Sequence, residues 1–213
     1  IFTIMAISSL CRANIAVLAQ KLSLLEAIEG KHGQTLAPAY FQKICPIVGA
    51  SIGQHFRHSI DHIELAALVA ASNMFVKNLP DKRMVTLHYD KRIRGGTLEK
   101  DIGLTRSRIS SVIDIFKEIH SKSLDVEAQS KHSENMDLTK LPVVASFLLS
   151  TEESCEIKLM STIERELGFA VHHAIHHMAM VKIIATQTAG LSTKDLNAEF
   201  GRAPSTVHFD RNQ

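Results

Sequence analysis

An excess of charge of either sign is what this sequence most plainly lacks. Its 213 residues carry 24 Lys+Arg against 22 Asp+Glu, a formal net charge of +2. It therefore has no electrostatic footprint of a nucleic-acid binder, and no acidic two-metal cluster of the nuclease kind is evident. Cysteine is scarce as well: Cys11, Cys45 and Cys155 stand far apart, odd in number and without CxxC spacing. That argues against a disulfide framework or a zinc ribbon and fits a reducing, cytoplasmic setting, with the thiols as buried fillers rather than nucleophiles. Long hydrophobic runs are missing too. The stretch IFTIMAISSLCR is broken by Ser8, Ser9 and Arg12, is too short to span a bilayer and lacks the basic start of a signal peptide. The chain opens on Ile1, so its initiator is expected at Met5 or upstream. No internal repeat or low-complexity segment interrupts what reads as one domain over 1–213, long enough to bury a real core.

Four segments carry helical signals. Residues 4–28 are rich in Leu, Ile and Ala, with Gly30 and Gly33 after them and a linker holding Pro38 and Pro46, which predicts a first helix. Ser51 is a candidate cap for a second helix that runs to about Asn78 and closes at Pro80. Residues 80–100 are charged, end at Gly95-Gly96 and read as a loop or partner-facing segment without a core of its own. A third helix is expected over Leu98–Lys122, with Ile102, Ile109, Val112, Ile113 and Phe116 as its apolar face. LDVEAQ and VVASFLLS then flank a polar stretch with Asn135 and Asp137, which predicts a short β-hairpin or a long loop. A last helix from about Glu153 to Ala189 stops at Gly190, and a turn-rich tail over 191–213 follows. The fold class expected is all-α: a four-helix bundle with long crossover connections, core at about 4–190, with a short β-hairpin before the last helix.

Histidine is the residue in excess: 12 in all, seven of them in two short windows. On the last helix, at about 100° per residue, Met160, Ile163, Leu167, Ala170, Met178 and Val181 fall within roughly 40° of Ala174 and mark the core face. His173 and His177 lie on its flank, whereas His172 and His176 point away. The first pair is spaced i, i+4, which lets two imidazoles of one helix reach the same ion. On the second helix His55, His58, Leu65, Ala66, Val69 and Asn73 fall within about 60° of His62, with Ile52 and Ile63 nearer the edge. His55 and His62 are about 10 Å apart along the axis, so one ion cannot take all three, and one of them completes the site. Inward histidines are usually satisfied core residues. Five on two helices are harder to keep dry without a metal, and a three-histidine set leaves positions open for water or substrate. Zn²⁺ is the first expectation, with Ni²⁺ and Fe²⁺ behind it.

SIGQHFRHSIDH at 51–62, HYDKRIR at 88–94, STIERELGFAVHHAIHHMA at 161–179 and FGRAPST at 200–206 together resemble an uncharacterised branch of the DinB-like metalloprotein superfamily. The resemblance implies a four-helix bundle with a three-histidine divalent metal site, one ligand from an early helix and two from an HxxxH in the last. Carried over, the ligands are His58, His173 and His177, with His55 and His62 as rivals for the first position. Relatives in this superfamily include thiol-dependent transferases and isomerases and the ligand domain of sulfoxide synthases. No segment here resembles a sulfoxide synthase catalytic domain.

Other residues are candidates for supporting roles. Glu166 sits on the HxxxH flank and is read as a base or an acceptor for a ligand's second N–H, against an exposed charge at the bundle edge. Asp61 is a weaker candidate of the same kind. Tyr89 and Asp90 are read as proton-handling groups of a lid, and Arg92 and Arg94 as binders of an anionic substrate, against plain solvated surface. Met178 and Met180 read as core, and Arg165 as facing away from it toward a contact such as the tail. Two functions compete: a metal-dependent transferase or hydrolase acting on a small molecule such as a thiol, and a non-catalytic metal-binding or stress-response module with a structural ion. A homodimer is the expected assembly, with neither nucleic acid nor membrane as partner.

Overall fold

The structure, a computed structural model, describes residues 2–75, 84–91, 95–129, 141–152 and 155–213. It is mostly helical with one small sheet. The helices are α1 (Phe2–Gln42), α2 (Ile52–Phe75), α3 (Ile102–Gln129), α4 (Ile163–Thr188) and the short α5 (Pro204–Arg211); the strands are β1 (Thr86–His88), β2 (Pro142–Phe147) and β3 (Ile157–Thr162). Among the described residues no helix is long and apolar enough to cross a membrane. The chain divides into two compact units. The first comprises Ile1–Ile15, Asp61–Arg92 and Ser111–Val171, and the second Ala16–Ile60, Ile93–Ser110 and His172–Gln213.

In the first unit β2 is central: β1 pairs with it in parallel, Leu87 opposite Ala145, and β3 pairs with it antiparallel, Ala145 opposite Leu159. A β-hairpin does precede the last helix, but its arms are β2 and β3. LDVEAQ instead continues α3 to Gln129, and Asn135 and Asp137 lie outside the described residues. The last helix begins at Ile163 rather than near Glu153, because 157–162 is strand. Met160 is accordingly not a core residue of a helix but an exposed strand residue. The connection at 80–100, expected to carry no core, supplies β1 and the buried Leu87 and Tyr89; Pro80 lies outside the described residues. Asn14 Nδ2 donates to the carbonyl of Leu167 inside this unit.

In the second unit, α1 does not stop at Gly30. It continues to Gln42 through a break at Gly33, whose φ of 71° suits a residue without Cβ, so Pro38 lies inside the helix rather than in a linker. Ser51 caps α2 as its sequence predicts: Ser51 Oγ accepts from Gln54 N at 3.1 Å and Gln54 Oε1 accepts from Ser51 N at 3.0 Å, a reciprocal capping box. Beside it Gly53 leaves room for the carbonyl of Glu99, where any Cβ would collide. Glu99 is itself buried and bridged to Arg57 at 2.9 Å, and its Oε1 accepts from Gly95 N. A single 3-10 turn at Thr97–Glu99 thereby anchors to α2 before Asp101 caps α3, its Oδ1 accepting from Leu104 N.

Periodicity located the apolar faces of the later helices well. Ile102, Ile109, Val112, Ile113 and Phe116 of α3 are buried, as are Ile163, Leu167, Ala170, Ala174, Met178 and Val181 of α4. Met180 is half-buried. On α2 the phase differs from expectation: Ile52 and Ile63 are fully buried and Leu65 only half-buried. The stripe Ile52, Phe56, Ile60, Ile63, Ala67, Ala70 sets that helix's core face, and the histidines occupy another side.

Candidate metal centre

Four histidines of the second unit converge, two from the start of α2 and two from the later part of α4. His58 Nε2 lies 2.9 Å from His173 Nε2, which lies 3.1 Å from His177 Nε2. The three rings meet nearly edge-on, with centroids 4.5 to 5.0 Å apart. Helix geometry explains the pairing: His173 and His177 stack one turn apart on the flank of the buried α4 face, where each is half-buried. His172 and His176, one position earlier in each case, are exposed.

His55 holds a different place. Its Nδ1 lies 2.7 Å from His177 Nδ1, so it meets the nitrogen of His177 that faces away from the convergence point. One proton must lie between the two Nδ1 atoms. With that proton on His177, its Nε2 carries a lone pair toward His58 and His173, and the proton of His55 sits on Nε2. His55 Nε2 is buried without a hydrogen-bond partner. His62, one turn beyond His58 on α2, is buried.

Two of these rings, His177 and His55, are held toward the neutral form by their surroundings. Burial foremost, then the basic groups His173, His55, Lys21 and His176, pushes His177 down to about 2, and burial followed by Lys21 and His176 lowers His55. Neutral imidazoles are the form that binds metal.

Lys21 is the residue that sequence reading passed over. It is fully buried; its Nζ donates to Ser59 Oγ at 2.7 Å, lies 3.4 Å from Met178 Sδ and stands 4.5 Å over the Phe56 ring. Burial lowers it to about 7. Its signal was in plain view: a lysine in the middle of the i, i+3, i+4, i+7 stripe Val17, Leu18, Leu24, Leu25, Ile28, where the period calls for an apolar side chain.

A second group of candidates assembles in the first unit. Glu166, expected on a helix flank, is almost fully buried and accepts from Tyr89 OH at 2.7 Å, from Arg165 Nη1 at 2.7 Å and from Ser161 Oγ. Burial first, then Glu166, raises Tyr89 well above the usual phenol range, so its OH remains a donor. Tyr89 is stacked between His62, centroids 4.8 Å apart, and Phe147, 5.0 Å apart, with Phe169 edge-on. Arg165 makes its contacts here, over the Phe169 ring and on Glu166. Asp90 Oδ2 accepts from Leu148 N at 2.8 Å and ties the segment after β1 to the end of β2; Asp61 is half-buried. Arg92 and Arg94 lie outside the described residues. Of the cysteines, Cys11 and Cys45 are buried as expected, with Cys11 raised to about 12 by burial, but Cys155 is exposed.

No family model matches this chain, and no solved structure matches it. A stretch of 138 residues, 64% of the chain, is 32% identical to FK506-binding protein 5 of Rhizopus delemar and covers 31% of that protein. The matched stretch thus spans about a third of that relative's length, and this likeness lends no support to the DinB-like resemblance.

Proposed function

We propose that this chain is a divalent-metal protein of the DinB-like kind, its long helices packed as a four-helix bundle, with His58, His173 and His177 as ligands. The supporting observation is the convergence of three Nε2 atoms, 2.9 and 3.1 Å apart in successive pairs. Tetrahedral bonds of about 2.0–2.1 Å would set such nitrogens about 3.3 Å apart, within a few tenths of an ångström. Zn²⁺ suits the donor set best, with Ni²⁺ and Fe²⁺ next. Bound there, the ion would supply Lewis acidity, making a coordinated water or substrate thiol more acidic.

The chain's own residues have separable tasks in this reading. His55 fixes the ring of His177 through the Nδ1 contact and keeps its Nε2 lone pair aimed at the site. Glu166 holds Tyr89 as a protonated donor, and Asp90 ties the segment that follows Tyr89 to the end of β2. Arg92 and Arg94 are the proposed contacts for an anionic substrate group. The activity we assign is a transferase or hydrolase step on a small molecule, with a thiol as the favoured class. Cytoplasmic residence and a homodimer belong to the same reading.

A second reading is a closed structural site, in which a fourth protein ligand fills the position that three histidines leave open. Metal analysis of untagged protein tests both. Each of His58→Ala, His173→Ala and His177→Ala should abolish retention of the ion, and full retention in His177→Ala would rule out the ligand set. In Co²⁺-loaded protein, added small thiol should shift the visible absorption if a position is open and leave it unmoved if a protein ligand closes it.

A further inference from the structure

Lys21 is a buried amine with nothing acidic to neutralise it. Its contacts are a hydroxyl, a thioether and an aromatic face, and among the described residues no carboxylate pairs with it. A buried charge without a counter-ion is unfavourable, and a methionine would fill this apolar stripe with less cost. Stability therefore does not explain the residue, but its position does. Ser59 and Met178, the two residues that hold Nζ, directly follow His58 and His177 in the chain, and Ser59 Oγ in turn donates to the carbonyl of His55 at 2.7 Å. The groups that lower His55 and His177 are His173 and His176 from α4, His55 from α2 and Lys21 from α1, all of them basic.

On the reading of the histidine cluster as a metal site, we propose that Lys21 is its electrostatic positioning residue, a buried cation that weakens the hold on a divalent ion and makes the site demand an anionic exogenous ligand. Two like charges in a medium less polar than water repel appreciably at separations where exposed groups would be screened. An anion at the open position is attracted by both, so the same lysine that loosens the ion tightens the anion. The site thereby selects ligands that bind as thiolate or carboxylate over neutral ones.

The test uses the full chain loaded with Co²⁺ and azide as the anionic probe, both followed by visible absorption. At about pH 6, below the value of about 7 to which Lys21 is lowered, Lys21→Met should bind Co²⁺ about tenfold more tightly than wild type and azide about tenfold more weakly. At about pH 9, where the amine is neutral, both ratios should shrink to within about twofold. A purely structural role would alter binding equally at the two pH values. Lys21→Gln keeps a partner for Ser59 without the charge and should reproduce the shift, which guards against a packing effect or poor folding of the methionine variant. Equal Co²⁺ affinity of wild type and both variants at about pH 6 overturns the proposal while leaving the metal site intact. Wild-type protein that binds no Co²⁺ overturns the metal reading and this proposal with it.

Discussion

His55 and His177 face each other through their Nδ1 atoms at 2.7 Å, while the other nitrogen of His177 faces His173 at 3.1 Å. One ring thus has a nitrogen for being held and a nitrogen for the site. The consequence is a graded set of losses. His58→Ala, His173→Ala or His177→Ala should remove metal retention, whereas His55→Ala should keep a bound ion with affinity reduced about 10- to 100-fold. Metal content after dialysis and competitive chelator titration measure both. A complete loss in His55→Ala would instead make His55 a ligand.

Acid should destabilise the metal-free protein. His177 is held near 2, below its ordinary value of 6.5, so the folded state takes up fewer protons than the unfolded state between those values. The stability this represents is fully present above about pH 6.5 and is lost progressively as pH falls toward 2. Urea unfolding followed from pH 7.5 to 4.5 should show a falling midpoint, and His177→Phe should flatten the slope.

The Tyr89–Glu166 pair should behave as a buried hydrogen bond to a charge. Tyr89→Phe removes a donor from a carboxylate that keeps two others and should cost about 1–2 kcal/mol. Glu166→Ala leaves the hydroxyls of Tyr89 and Ser161 without their acceptor and should cost about 3 kcal/mol or more. Arg165 is largely exposed and adds little to that figure. Equilibrium chemical denaturation reads both values, and equal costs would mean that Tyr89 is the only donor that matters.

Two glycines should respond oppositely to the same change. At Gly53 a methyl group meets the carbonyl of Glu99 and the Phe41 ring, so Gly53→Ala should destabilise by about 3 kcal/mol or more. Nothing lies within 4 Å of a Cβ at Gly30, which is within α1, so Gly30→Ala should stabilise by about 0.5–1 kcal/mol. Thermal unfolding of the two variants beside wild type checks the contrast.

Much of the local structure was legible because its causes are local. The Ser51–Gln54 capping box, the buried face of α3 and the α4 stripe around Ala174 follow from caps and a 3.6-residue period. The β3 strand was not legible: Leu159 and Met160 continue the apolar pattern of α4 in sequence, and only pairing with β2 makes them strand. The extension of α1 past Gly30 likewise depends on Gly33 absorbing a break at positive φ, a conformation that composition does not announce.

The sequence by itself determined which residues could chelate: an i, i+4 histidine pair on one helix flank and a histidine-rich turn on another are properties of helical phase, which needs only 100° per residue. Only the tertiary structure decided how the histidines share the work. Whether His55 or His58 turns its ring toward the Nε2 atoms of His173 and His177 depends on the relative rotation and height of α2 and α4, which tertiary packing sets and no single-helix period contains. The same packing placed Lys21 on Ser59 and Met178 and turned an odd lysine in an apolar stripe into a neighbour of the site.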